Sequence, residues 1–194
     1  PVVTRIHAGD GALLAEYASE KRLFMPTQAM PPDLIAAFLS AEDKPFYQHF
    51  GVDLKALSRA IITNISNIGS GRRPICASTI TQQVAKNFLL TNEVSVERKI
   101  KEAILAIRIE RALEKDDILA LYLNDIYLGL SSYGVAAAAL NYFDKPLDQL
   151  QLHEIAYLAA LPKAPNNYHP VNKSTAAIAR RIWVLQQRFL NGYI

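Results

Sequence analysis

The chain has 194 residues, 51% of them apolar, which is enough to bury a core and excludes a disordered polar chain. Its 21 basic and 18 acidic residues leave a formal charge of +3, too weak to argue for nucleic acid but suited to an anionic substrate or a membrane surface. The single cysteine, Cys76, excludes an internal disulfide and a multi-cysteine metal site.

No apolar run reaches the length of a bilayer span, and residues 1–11 lack the charged start and apolar middle of a signal peptide. A chain that starts directly on a strand-like segment is expected to be a fragment of a longer protein, with any anchor lying before Pro1. Val2, Val3 and Ile6, then Gly9-Asp10-Gly11, then residues 13–17 predict a β-hairpin, because Asp-Gly between apolar runs is a turn signal. From Pro31 onward the periodicity is helical, so the rest is expected to be mainly α.

Pro31-Pro32-Asp33 opens a helix whose buried face is Leu34, Ile35, Phe38 and Leu39 and whose last turn carries Glu42 and Asp43; Pro45 stops it. A carboxylate at the negative end of a helix dipole, beside apolar surface such as Phe46, has its pKa raised, which suits a general base. Taken alone, the same acids read as solvated charges ending a helix, and His49 as an ordinary loop residue.

Leu54, Leu57, Ile61, Ile62, Ile65 and Ile68 form a stripe on a helix over 53–67. Core packing is the expectation for most of them, and contact with lipid the alternative, because the stripe runs into a basic loop over 66–74. In 77–87, Ser78 or Thr79 caps a helix with Ile80, Val84 and Phe88 on its apolar face. Gln83, Lys86 and Asn87 fall on one side, either solvated or facing phosphate or sugar hydroxyls.

A helix over 95–113 is marked by Ile100, Ala103, Ile104, Ile107 and Arg111. Its Arg98 and Glu102 are either an i,i+4 ion pair worth roughly 0.2–0.5 kcal/mol or two groups facing a cleft. Lys101 and Arg108 are its other polar residues of interest. In the helix after Lys115-Asp116-Asp117, Asn124 and Tyr127 stand among large apolar residues, as structural hydrogen-bonders or cleft residues. A small-residue helix follows Gly134, a short one over 150–161 ends at Pro162, and 162–170 is rich in turn residues. Ser174 then caps a terminal helix expected to face Ile178, Ile182, Leu185 and Phe189 inward.

EDKPFYQHFG, STITQQVAKN, RKIKEA, KDDILALYLNDIYLG and LPKAPNNYHP, in that order, resemble the successive motifs of the peptidoglycan glycosyltransferases, glycosyltransferase family 51. Such domains form the N-terminal catalytic part of class A penicillin-binding proteins and also occur as monofunctional transglycosylases. The resemblance covers residues 31–170, and the hairpin before them is more like the bifunctional proteins. It implies a mainly α, lysozyme-like fold of two lobes, the smaller a membrane-facing jaw, with a β-hairpin appendage and linker over 1–30 and the catalytic domain over 31–194.

The resemblance also implies the chemistry. Lipid II is polymerised into β-1,4-linked glycan on a lipid-linked strand, by inverting displacement of undecaprenyl pyrophosphate. Glu42 corresponds to the general base and Glu102 to a second cleft glutamate. Asp43, Phe46 and His49 match positions around the base, while Ser78, Thr79, Gln83, Asn87 and Tyr127 match positions lining the donor site, with Asn124 beside them. Lys86, Arg98 and Lys101 are the candidate cations for the departing pyrophosphate. No cofactor is obligatory; Mg²⁺ or another divalent cation at the pyrophosphate is compatible with the chemistry, though no ligand cluster demands it.

Expected partners are lipid II, the lipid-linked strand, the membrane surface, moenomycin-type inhibitors and other cell-wall synthesis proteins, and not nucleic acid. The expected location is the periplasmic face of the bacterial inner membrane, with an N-terminal transmembrane anchor outside this chain. Two departures stand out: Cys76-Ala77 where Gly-Gly is frequent, and Ala120 where glutamate is frequent. No SxxK motif occurs, so penicillin binding is not expected. The rival readings are a lysozyme-like enzyme that cleaves glycan and a non-catalytic module that binds lipid-linked precursors.

Overall fold

The computed structural model describes residues 4–10, 13–17, 21–67, 77–89 and 95–194; Ile68, Cys76 and most of the basic loop lie outside them. Strands β1 (Thr4–His7) and β2 (Leu13–Tyr17) pair antiparallel with Thr4 opposite Tyr17, the expected hairpin. The segment that follows is bolted to the main body. Strand β3 (Lys21–Arg22) pairs in parallel with β4 (Ser132–Tyr133), and the Met25 backbone exchanges two hydrogen bonds with the Asn124 amide, at 2.7 and 2.8 Å.

Helix α1 (Pro32–Glu42) runs through the centre with Leu34, Ala37 and Phe38 fully enclosed. It packs against α7 (Leu152–Ala160) and α8 (Ser174–Leu190). Helix α3 (Ile80–Leu89) packs between α4 (Val96–Ala112) and α5 (Lys115–Asp125), and α6 (Val135–Phe143) brings its run of alanines against α7. Gly134 enters α6 at φ +81°, where a Cβ would lie 2.5 Å from the Asn124 carbonyl oxygen, so both conformation and space require glycine.

Three apolar stripes lie largely on the surface, those over 53–67 and in the terminal helix against the expectation of core packing. On α2 (Leu54–Ser66) only Ala60 is buried, while Leu54 is 73%, Ile62 68% and Ile65 62% exposed. On α4 the inward residues are Glu102 and Ala106, and Ile100, Ile104 and Ile107 point outward; Phe88 of α3 is exposed as well. These helices approach the body through small or charged side chains, which leaves their large apolar residues as a surface patch of the kind that meets a membrane or a partner.

On α8, Ile178, Ile182 and Phe189 are exposed, and the buried positions are Ala177, Val184 and Arg188. Arg188 holds an inward site because Asp33, in the first turn of α1, accepts its Nη2–H at 2.6 Å. Arg188→Met should therefore leave the melting temperature unchanged or higher, since an apolar side chain of similar length replaces a buried cation. Asp33→Ala should destabilise by about 1–3 kcal/mol by stranding the guanidinium. Thermal unfolding of the two variants checks both. No described helix is long and apolar enough to cross a membrane.

Candidate active site

Glu42 ends α1 and projects into a cleft of about 580 Å³, lined also by Lys44, Lys55, Arg59, Ser78 and Tyr193. Gln83 of α3 donates its Nε2–H to Glu42 Oε2 at 3.1 Å. Burial pushes the Glu42 carboxyl above its ordinary value; the Gln83 bond and the charges of Arg180 and Lys163 pull the other way, and neighbouring Asp43 adds to the rise. An apolar groove of about 470 Å³ adjoins this cleft, sharing Pro45, Gln48, Asp53 and Lys55 and reaching Phe50, Leu54 and Ile107.

Asp43 does structural work. It is buried, both its oxygens lie 3.0 Å from His49 Nε2, and Oδ2 accepts the Ile80 backbone N–H at 2.9 Å. One carboxylate thus ties the end of α1 to the start of α3, fixing Glu42 relative to Gln83. Thr79 completes that start with a capping box: its Oγ1 accepts from Gln82 N and Gln82 Oε1 accepts from Thr79 N, both at 3.1 Å. Thr79 Oγ1 also donates to the Gly51 carbonyl at 2.6 Å. Gly51, at φ +86°, presses on α4 so closely that a Cβ would lie 2.8 Å from the Ala106 carbonyl carbon and oxygen.

The loop between α1 and α2 is anchored from below. Phe46 is fully buried and meets the His49 ring edge-on, with centroids 6.2 Å apart. Lys115 lies 4.5 Å from the centroid of the Phe46 ring and donates to the His49 carbonyl and to Glu110, both at 2.7 Å. Thr81 donates to the same Glu110 oxygen at 2.6 Å.

Glu102 is buried on α4, hydrogen-bonded to Lys99, with Arg98 Nη1 3.7 Å from its second oxygen. Lys99 also donates to Ser78 Oγ at 2.7 Å, so Ser78 links the second glutamate to the cleft wall. Arg98 and Glu102 are the i,i+4 pair that their spacing allows, and neither is among the residues lining the cleft.

Other nominated residues lie elsewhere. Lys101 pairs with Glu97 at 2.6 Å on an exposed face, and Lys99 takes the position beside Glu102. The reason is helical geometry: Lys99 is at i−3 from Glu102, whereas Lys101 is its sequence neighbour and points away. Lys86 and Asn87 are exposed near the end of α3. Asn124 spends its amide on the Met25 backbone and the Ala120 carbonyl, and Tyr127 stacks on Tyr133 with centroids 5.0 Å apart; neither is among the residues lining the cleft.

The motif reading missed Lys99, which lies inside RKIKEA, and also Lys163 and Arg180. Arg180 lies 3.7 Å over the Trp183 ring and carries its charge toward Glu42. Nothing local in the sequence marks it. Among the described residues no group of three or more His, Cys, Asp or Glu could hold a metal ion, and the Asp43 oxygens are committed to His49 and Ile80.

A half-buried glutamate held by an amide thus faces a polar cleft with an apolar extension, the arrangement that a general base acting on a hydroxyl needs. The transglycosylase family model matches residues 10–188. The chain is 54% identical over 194 residues to penicillin-binding protein 1A of Rickettsia felis, covering 100% of this chain and 25% of that protein. Against penicillin-binding protein 1A of Escherichia coli the identity is 47% over 190 residues, covering 98% and 22%. The crystal structure of penicillin-binding protein 1A from Haemophilus influenzae matches with a TM-score of 0.55 at 27% identity, over 99% of this chain and 18% of that one. The chain belongs to the transglycosylase family. It spans about a quarter of the length of the curated relatives it matches.

Proposed function

We propose that the domain joins lipid II to a lipid-linked glycan strand by a single inverting displacement in which Glu42 is the general base. The observation that carries this reading is the Glu42 carboxylate: half-buried, raised in pKa, held at one oxygen by Gln83, and facing a cleft that continues into an apolar groove. Glu42 takes the proton of the acceptor's 4-hydroxyl as its oxygen attacks the anomeric carbon of the donor sugar. The anomeric C–O bond breaks and its electron pair leaves with undecaprenyl pyrophosphate. Inversion at that carbon turns the α-linked pyrophosphate into a β-1,4 bond.

The departing pyrophosphate needs positive charge more than a proton, and Arg98 and Lys99 supply it behind Ser78. Glu102 holds those two cations in place. A divalent ion taking part in this step would be held mainly by the phosphates themselves. The exposed apolar faces of α2 and α4, with Lys55 and Arg59 beside them, suit an anionic membrane surface and put the groove where a lipid tail can enter. Moenomycin-type inhibitors, as donor mimics, compete for this cleft, and the domain works at the periplasmic face of the inner membrane.

The test is conversion of labelled lipid II to polymer by this domain, with release of undecaprenyl pyrophosphate and inhibition by moenomycin. Cleavage of finished glycan without polymer formation would replace the proposal with a lysozyme-like activity. Lipid II binding without any turnover would leave a binding module.

A further inference from the structure

The core of α5 holds a hydroxyl that the mechanism above does not use. Tyr122 is 1% exposed, its ring meets Phe38 edge-on with centroids 6.3 Å apart, and its phenol oxygen is enclosed with no hydrogen-bond partner among the described residues. Phe38 stands one helical turn before Glu42, so both lie on the face of α1 that looks toward Tyr122. Burial pushes the phenol's pKa well up, and the charges of Glu42 and Asp43 add to the rise.

A buried O–H without an acceptor loses its hydration with nothing in return, so such a group in a well-packed core calls for a partner. The nearby carboxylates differ in what they can accept. Asp43 is engaged by His49 and Ile80, whereas Glu42 receives one bond, from Gln83 to Oε2, and its Oε1 has no donor among the described residues.

We propose that Tyr122 is a positioning residue for Glu42, its buried phenol donating through one enclosed water to the Glu42 carboxylate and fixing that side chain from α5 while Gln83 holds it from α3. A water so placed joins one donor and one acceptor in a polar corner of an otherwise apolar core. Because the bond favours the charged carboxylate, it keeps Glu42 ionised at a lower pH than burial alone would allow. The groups facing Glu42 are then Tyr122 from α5, Gln83 from α3, Arg180 from α8, Lys163 from the loop after α7 and Asp43 beside it in sequence. The benefit to catalysis rests on the reading of Glu42 as the base; the contact does not.

The experiment is a ¹³C-carboxyl titration of Glu42, assigned with Glu42→Gln, in the wild type, in Tyr122→Phe and in Tyr142→Phe. Tyr142 is a control because its hydroxyl donates to the Leu128 carbonyl away from the cleft, so its loss lowers stability without touching Glu42. Tyr122→Phe should raise the Glu42 midpoint by about 0.5–1 pH unit and Tyr142→Phe should leave it in place. An unmoved midpoint in a folded Tyr122→Phe protein overturns the proposal. Should the midpoint rise while the acid side of the rate profile stays put, the positioning contact stands and the assignment of Glu42 as the base falls.

Discussion

Glu42→Gln is expected to lower turnover of lipid II by about 10²–10⁴-fold, the usual loss when a general base is removed. Glutamine keeps the shape of the side chain and can still accept the Gln83 hydrogen bond, so lipid II binding should persist. The same substitution should raise the melting temperature near neutral pH. Burial raises the folded-state pKa of Glu42 above its unfolded value, so the folded protein binds that proton more tightly than the unfolded chain does. The stability contributed is full below the unfolded value and is lost as pH climbs through the raised folded value. At pH 7 the ionised carboxylate is therefore a cost that glutamine removes, and near pH 4 the gap between the two proteins should close. Turnover assays and melting curves at the two pH values read both effects; equal turnover, or a melting temperature lowered at every pH, would contradict the assignment.

Asp43→Ala should produce the largest loss of stability among the site residues, about 2–5 kcal/mol. The carboxylate satisfies a buried imidazole and the first backbone N–H of α3, and alanine strands both. Activity should fall with it, because Glu42 and Gln83 are registered to each other through this tie. Asp43→Asn, which keeps one carbonyl oxygen for Ile80, should retain more of both. Denaturant unfolding separates the two variants. An alanine variant as stable as the wild type would mean that Asp43 does not hold the helices together.

What could be read from the sequence was local. The acids at the end of α1, a cap at Ser78 or Thr79, and the Arg98–Glu102 spacing are each written within a few residues; the cap falls on Thr79, and Arg98 and Glu102 pair as i,i+4. Which face of a helix turns inward is decided by distant chain. The apolar stripe of α8 predicted burial of Ile182 and Phe189, but Asp33 of α1 draws Arg188 inward instead. On α2 and α4 a stripe suited to a core lies on the surface, and periodicity alone does not distinguish a core face from a face meant for lipid. Asn124 carried the polarity of a cleft residue and spends it on Met25, a partner from the other end of the sequence. Lys99 was legible in principle, because it stands three residues before a helical Glu102 and so on the same face, whereas Arg180 comes to Glu42 from the final helix and has no local signal.

The central claim is that an ionised Glu42 of raised pKa takes the acceptor's proton, and the rate of the unaltered domain at saturating lipid II between pH 4 and pH 8 tests it most directly. The rate should climb through a single ionisation centred above the ordinary glutamate value, as burial of Glu42 requires, and that step should be absent from the residual rate of Glu42→Gln. A rate that stays flat across this range, or an acid limb that survives unchanged in the glutamine variant, would place the base elsewhere.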